Sequence, residues 1–109
     1  MSYPWVVEFK VPSEIEVLRV IAKHGSIKGV VSLHRIVHDL QRKGVLRTEF
    51  SFVRYSFGFY SKDLEEVLMS LKKLDLIRVT KGPEGLDVYE VTEKGLRVLE
   101  TLAENRTPA

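Results

Sequence analysis

His34 and His38 stand four positions apart, the spacing that puts two imidazoles on one helix face and lets them share a metal ion. A third ligand is missing from the pattern. The chain has no cysteine and no Glu-His motif beside the pair, so a packed or surface histidine pair is the expected reading and no metal is assigned. Residues 50–60 hold six of the ten aromatic side chains, Phe50, Phe52, Tyr55, Phe57, Phe59 and Tyr60. Rings at that density serve stacking on single-stranded nucleic acid, a ligand pocket, or packing. Stacking wants cations interleaved with the rings, and only Arg54 lies among them, so core or subunit interface is expected. No glycine-rich phosphate loop, no Gly-x-Ser-x-Gly elbow and no carboxylate pair placed for acid–base work occurs. The chain is therefore expected to be no enzyme and to need no cofactor.

Charge separates by segment. The whole chain carries a formal +2, but residues 25–60 hold Lys28, Arg35, Arg42, Lys43, Arg47 and Arg54 against Asp39 and Glu49, a local balance of +4. Residues 61–92 hold five basic and seven acidic groups, a balance of −2. A basic middle offers a footprint for a polyanion, at far lower density than a strongly basic DNA-binding domain.

Four helices and three short strands must position these side chains. Ser13 and Glu16 have capping-box spacing, and Ile15, Leu18, Ile21 and Ala22 recur at helical period until Gly25, which predicts a helix over 13–24. Residues 28–31 are short and β-branched, fit for a strand. Ser32 then caps a helix over 32–43 with the apolar face Leu33, Ile36, Val37 and Leu40, a Val31–Ile36 staple, and Gly44 as its stop. A third helix opens at Ser61, with acids in its first turns, lysines at its end and the stripe Leu64, Val67, Leu68, Leu71 and Leu74. Strands over 77–81 and 86–92 flank the turn Gly82-Pro83-Glu84-Gly85, and a closing helix runs over 93–104. The connection 44–60 is long, and stays ordered only if its rings bury area; Gly58 is expected to allow a close turn before the Ser61 cap.

Helix, short strand, helix, helix and hairpin is the order of a winged helix-turn-helix. Residues 74–102, LDLIRVTKGPEGLDVYEVTEKGLRVLETL, resemble the wing and closing helix of prokaryotic winged-helix proteins. Residues 52–77, FVRYSFGFYSKDLEEVLMSLKKLDLI, are similar to the entry of the YwgA-like winged-helix family, with Phe59 where that pattern has proline. The fold expected is thus α+β: a three-helix core, a β-hairpin wing and a closing C-terminal helix. The resemblance implies a double-stranded DNA-binding transcriptional regulator whose third helix enters the major groove. Its candidate contacts are Ser61, Lys62, Glu65, Glu66, Met69, Ser70, Lys72 and Lys73. Arg78 and Lys81 stand on the wing, and Arg35, Arg42, Lys43 and Arg54 are placed for the DNA backbone. The two glutamates would oppose a phosphate wall unless one accepts from a cytosine amino group.

At 109 residues, 44% hydrophobic and 29% charged, the chain suits one domain over 1–104 with a disordered tail over 105–109. No stretch is long and apolar enough for a membrane span and no secretory signal opens it, so a cytoplasmic location is expected. Trp5, Val7 and Phe9 at one end and Leu96, Leu99 and Leu102 at the other are an apolar surplus that a homodimer would cover. The alternative function is a protein-interaction module without DNA binding, docking through the acidic third helix or the aromatic connection.

Overall fold

The computed structural model is described for residues 11–106, with side chains to residue 103. In order come α1 (Ser13–His24), β1 (Ser26–Lys28), α2 (Val30–Arg42), β2 (Val53–Tyr55), β3 (Gly58–Tyr60), α3 (Lys62–Lys73), β4 (Ile77–Lys81), a 3-10 turn (Pro83–Gly85), β5 (Asp87–Val91) and α4 (Glu93–Arg106). The strands form two antiparallel sheets, one ordered β1-β5-β4 and one of β2 and β3 alone. None of the described helices is long and apolar enough to cross a membrane.

One core joins these elements. Val17, Leu18 and Ile21 of α1 meet Ile27 of β1, Leu33 and Val37 of α2, Leu64, Val67, Leu68 and Leu71 of α3, and Ile77 and Tyr89 of the sheet. Each fully buried leucine or isoleucine contributes about 1.5–3 kcal/mol relative to exposure. The stripe predicted for α3 is this inward face except at its end. Leu74 is 54% exposed, while Leu76 is buried. Asp75 takes φ 61°, a left-handed step after the helix that turns Leu74 out and brings Leu76 in, with Leu76 N donating to Leu71 O at 2.9 Å.

At the two preceding helices the capping differs from expectation, although α1 spans residues 13–24 as read from the sequence. At α1 no side chain caps the helix. The Pro12 carbonyl accepts from Ile15 N at 3.0 Å and Glu16 N at 3.2 Å, so the helix begins one residue before a capping box would allow, and Ser13 lies inside it. At α2, residues 28–31 do not make one strand and Ser32 is not the cap. β1 ends at Lys28, where it pairs with Val88. Gly29, at φ 90°, donates to Asp87 O at 2.7 Å and accepts from Leu33 N at 3.1 Å. That reversal is one glycine makes readily, and it starts the helix at Val30, leaving Val31 outside any staple.

The expected irregular connection contains a β-hairpin. Tyr55 pairs with Gly58 and Val53 with Tyr60 around the two-residue turn Ser56-Phe57. Gly58, at φ 137°, belongs to strand β3 rather than to a turn beside the cap. Upstream, the Gln41 amide holds the chain: its Nε2 donates to Phe50 O at 2.9 Å, and its Oε1 accepts from Phe50 N at 2.9 Å and Thr48 Oγ1 at 2.6 Å. Asp63 Oδ2 accepts from Ser51 N at 2.9 Å.

The second hairpin is close to expectation. Its five-residue ladder runs from Ile77↔Val91 to Lys81↔Asp87, so β5 starts at Asp87 rather than Leu86. Thr92 then caps α4, its Oγ1 accepting from Gly95 N at 3.1 Å while donating to Asp75 O at 2.6 Å. α4 runs to Arg106, two residues past the expected end of the domain.

Candidate nucleic-acid interface

The side of α3 away from the core carries the candidate contacts. With about 100° between successive residues, Lys62, Glu66, Met69 and Lys73 form one outward stripe flanked by Ser70 and Lys72. All six are exposed, and Met69 is 68% accessible. The stripe alternates cation, anion, apolar thioether and cation, so base edges and phosphates would find both donors and one repulsive carboxylate.

Two sequence candidates on this helix face elsewhere. Ser61 is fully buried; its Oγ accepts from Leu64 N at 3.2 Å, the N-cap bond of α3. Glu65 is half-buried, and its Oε1 lies 2.9 Å from Nε2 of His34. The His34 ring is 1% exposed, stacks on Tyr60 at 4.8 Å and 14°, and accepts from Ser61 N at Nδ1 over 3.0 Å. An Nδ1 that accepts carries no proton, so the ring proton sits on Nε2 and is donated to the carboxylate. A single imidazole thus holds both the backbone at the start of α3 and the side chain one turn in.

His38, the second member of the pair, packs instead of ligating. It stacks on Phe59 at 3.7 Å and 10°, meets Phe52 edge-on at 5.0 Å, and its Nδ1 lies 3.4 Å from Asp39 Oδ1. Among the described residues no three metal-binding side chains cluster. This histidine–aromatic seam between α2 and the hairpin was not read from the sequence. The one signal for it was a pair of imidazoles four apart with no third ligand, followed by a dense run of rings.

The wing cations divide. Arg78 is exposed on β4, whereas Lys81 Nζ lies 2.8 Å from Asp87 Oδ1, so little net charge remains there for a phosphate. Arg35, Arg42, Lys43 and Arg54 are all exposed, as are Lys28 and Arg47. Among the described residues no carboxylate lies within ion-pair distance of any of the six. Burial first, then the charges of Glu65 and Asp87, push the Tyr89 phenol up to about 12.

The aromatic run is split between core and surface. Phe50 is buried, and Phe52, Phe59 and Tyr60 are half-buried against α2. Tyr55 and Phe57, 47% and 57% exposed, stack on each other at 5.2 Å and 4°. Val30, Val31 and Val53 are also exposed, and Val31 lies beside the hairpin, since a Cβ on Gly58 would sit 3.5 Å from Val31 Cγ1. A recess of about 190 Å³ between β1 and the 3-10 turn, lined by Lys28, Pro83, Glu84, Leu86 and Val88, is below the roughly 300–1,000 Å³ of a small-molecule site.

Of the expected dimer contacts, Leu96 is exposed and Leu102 half-buried, while Leu99 packs against the core of its own chain. Trp5, Val7 and Phe9 lie outside the described residues, as does the end of the expected tail. Compared with protein-family models, with curated proteins and with solved structures, the chain matches none.

Proposed function

We propose that the chain is a winged helix-turn-helix domain that binds double-stranded DNA as a cytoplasmic transcriptional regulator, without metal or catalysis, and acts as a homodimer on paired half-sites. The observation that carries this reading is the outward stripe of α3, with Lys62 and Lys73 exposed on a helix whose opposite face is buried in the core. The three-stranded sheet, in which β1 from between the first two helices pairs with β5 of the later hairpin, is compatible with a winged helix in which β4 and β5 are the wing and the β2–β3 hairpin is an insertion between the second and third helices. The exposed cations from Lys28 to Arg54 support contact with the DNA backbone. Glu66 is the opposing charge on the stripe and favours a cytosine amino group over phosphate.

A salt titration of duplex binding tests the proposal. If Lys62, Lys73, Arg78 and Arg54 each neutralise a phosphate, log K falls with log salt at a slope of about −3.6, and Lys62→Ala or Lys73→Ala makes it shallower by about 0.9. Absence of binding at low salt rejects the proposal.

One observation favours a second reading, a protein-interaction module. The exposed Tyr55–Phe57 stack, on a hairpin that lies near exposed Val31, is the kind of aromatic surface that partner proteins cover. Phe57→Ala that abolishes a protein complex in a chain unable to bind duplex DNA would select it.

A further inference from the structure

We infer that His34 is a positioning residue for the nucleic-acid surface: by holding the Glu65 carboxylate against the core side of α3, it keeps that negative charge off the face offered to DNA. The inference rests on the DNA-binding reading above. Glu65 stands at the margin of the outward stripe, one residue before Glu66 and three after Lys62, where an untethered carboxylate would reach the same groove. Its Oε1 instead accepts from Nε2 of a buried ring at 2.9 Å, and the ring's orientation is locked by Ser61 N on its other nitrogen at 3.0 Å and by Tyr60 stacked at 4.8 Å. The inward placement also brings the Glu65 charge to bear on Tyr89, whose phenol is raised first by burial and then by Glu65. Like charges brought together across an interface oppose binding strongly, so the tether matters more with DNA present than in the free protein.

The two imidazole nitrogens are separable by substitution. His34→Asn keeps an acceptor near the Nδ1 position for Ser61 N and removes the donor to Glu65; His34→Gln keeps a donor in reach of Glu65 and gives up the Ser61 bond. Duplex affinity and the Tyr89 titration, followed by phenolate absorbance, are measured on both. The expected result for His34→Asn is an affinity loss of roughly tenfold together with a Tyr89 titration moved below that of the unsubstituted chain. Adding Glu65→Gln to His34→Asn restores affinity to within about twofold, whereas Glu65→Gln alone changes it by less than about twofold. His34→Gln leaves the Tyr89 titration in place. If His34→Asn does not fold, Glu65→Asp makes the same release, because its carboxylate is one methylene short of the ring, and the same two shifts are expected. Failure of Glu65→Gln to restore affinity, or an equal gain from Glu65→Gln in either background, overturns the inference. A Tyr89 titration unmoved in His34→Asn overturns the tether whichever way the DNA measurement falls. No duplex binding by the unsubstituted chain overturns the DNA-binding reading itself.

Discussion

Gln41 is the point at which one side chain decides the path of a long connection. Its amide forms a reciprocal pair with the backbone of Phe50, both bonds 2.9 Å, and takes the Thr48 hydroxyl at 2.6 Å. Thr48 and Phe50 are both buried, so water does not replace these bonds freely. Gln41→Leu keeps the volume and removes all three. Each net hydrogen bond contributes about 1 kcal/mol, and a buried group left unpaired costs about 1–3 kcal/mol, so the expected loss is about 2–4 kcal/mol. Against a total stability of about 5–15 kcal/mol, that is large enough to move a urea midpoint visibly. Phe50 also leads into the hairpin that ends at the Ser61 cap, so hydrogen exchange should accelerate at Phe50 N–H and along β3 before it does in α1. Gln41→Glu keeps an acceptor for Phe50 N and Thr48 but loses the donor, and should cost about half as much. A Gln41→Leu protein within about 0.5 kcal/mol of the unsubstituted chain, with Phe50 N–H equally protected, would refute the reasoning.

Three further outcomes follow from the geometry. The Tyr89 phenol is raised to about 12, so the fold favours its protonated form: the stability this contributes is full below about pH 10 and declines as pH rises towards 12. The decline amounts to about 2–3 kcal/mol and is absent in Tyr89→Phe, as denaturation at a series of alkaline pH values would reveal. Gly95→Ala forces a Cβ into the Leu76 carbonyl and to 2.6 Å from Val91 Cγ1; a loss of about 2 kcal/mol or more is expected in thermal unfolding, and a neutral result would mean that α4 sits farther from β4 and β5. Thr92→Val removes the α4 cap and the bond to Asp75 O, and should cost about 1–3 kcal/mol in denaturant unfolding, with Thr92→Ser recovering most of it.

How far the sequence could be read depended on the range of the forces involved. The inward face of α3 was legible because Leu64, Val67, Leu68 and Leu71 repeat at the helical period and Ser61 caps locally. The β4–β5 hairpin was legible because Gly82, Pro83 and Gly85 mark its turn. The β2–β3 hairpin was not, since Ser56-Phe57 carries no turn signature and its strands are three residues each; it exists because Phe59 and Tyr60 find His38 and His34 on α2. Ser32 looked like a cap on local grounds, and the start of α2 was moved by Gly29 bonding across to Asp87.

The candidate site divides in the same way. Period and composition alone determined which side of α3 turns outward and that Lys62, Glu66, Met69 and Lys73 stand on it, because a helix distributes its residues by a fixed rotation. Only tertiary packing decided that Ser61 is interior, that Lys81 is neutralised by Asp87 and that Glu65 faces inward. Each of those outcomes depends on a partner from 6 to 31 residues away, and a hydrogen bond or ion pair at that separation leaves no trace in the local pattern that a sequence displays.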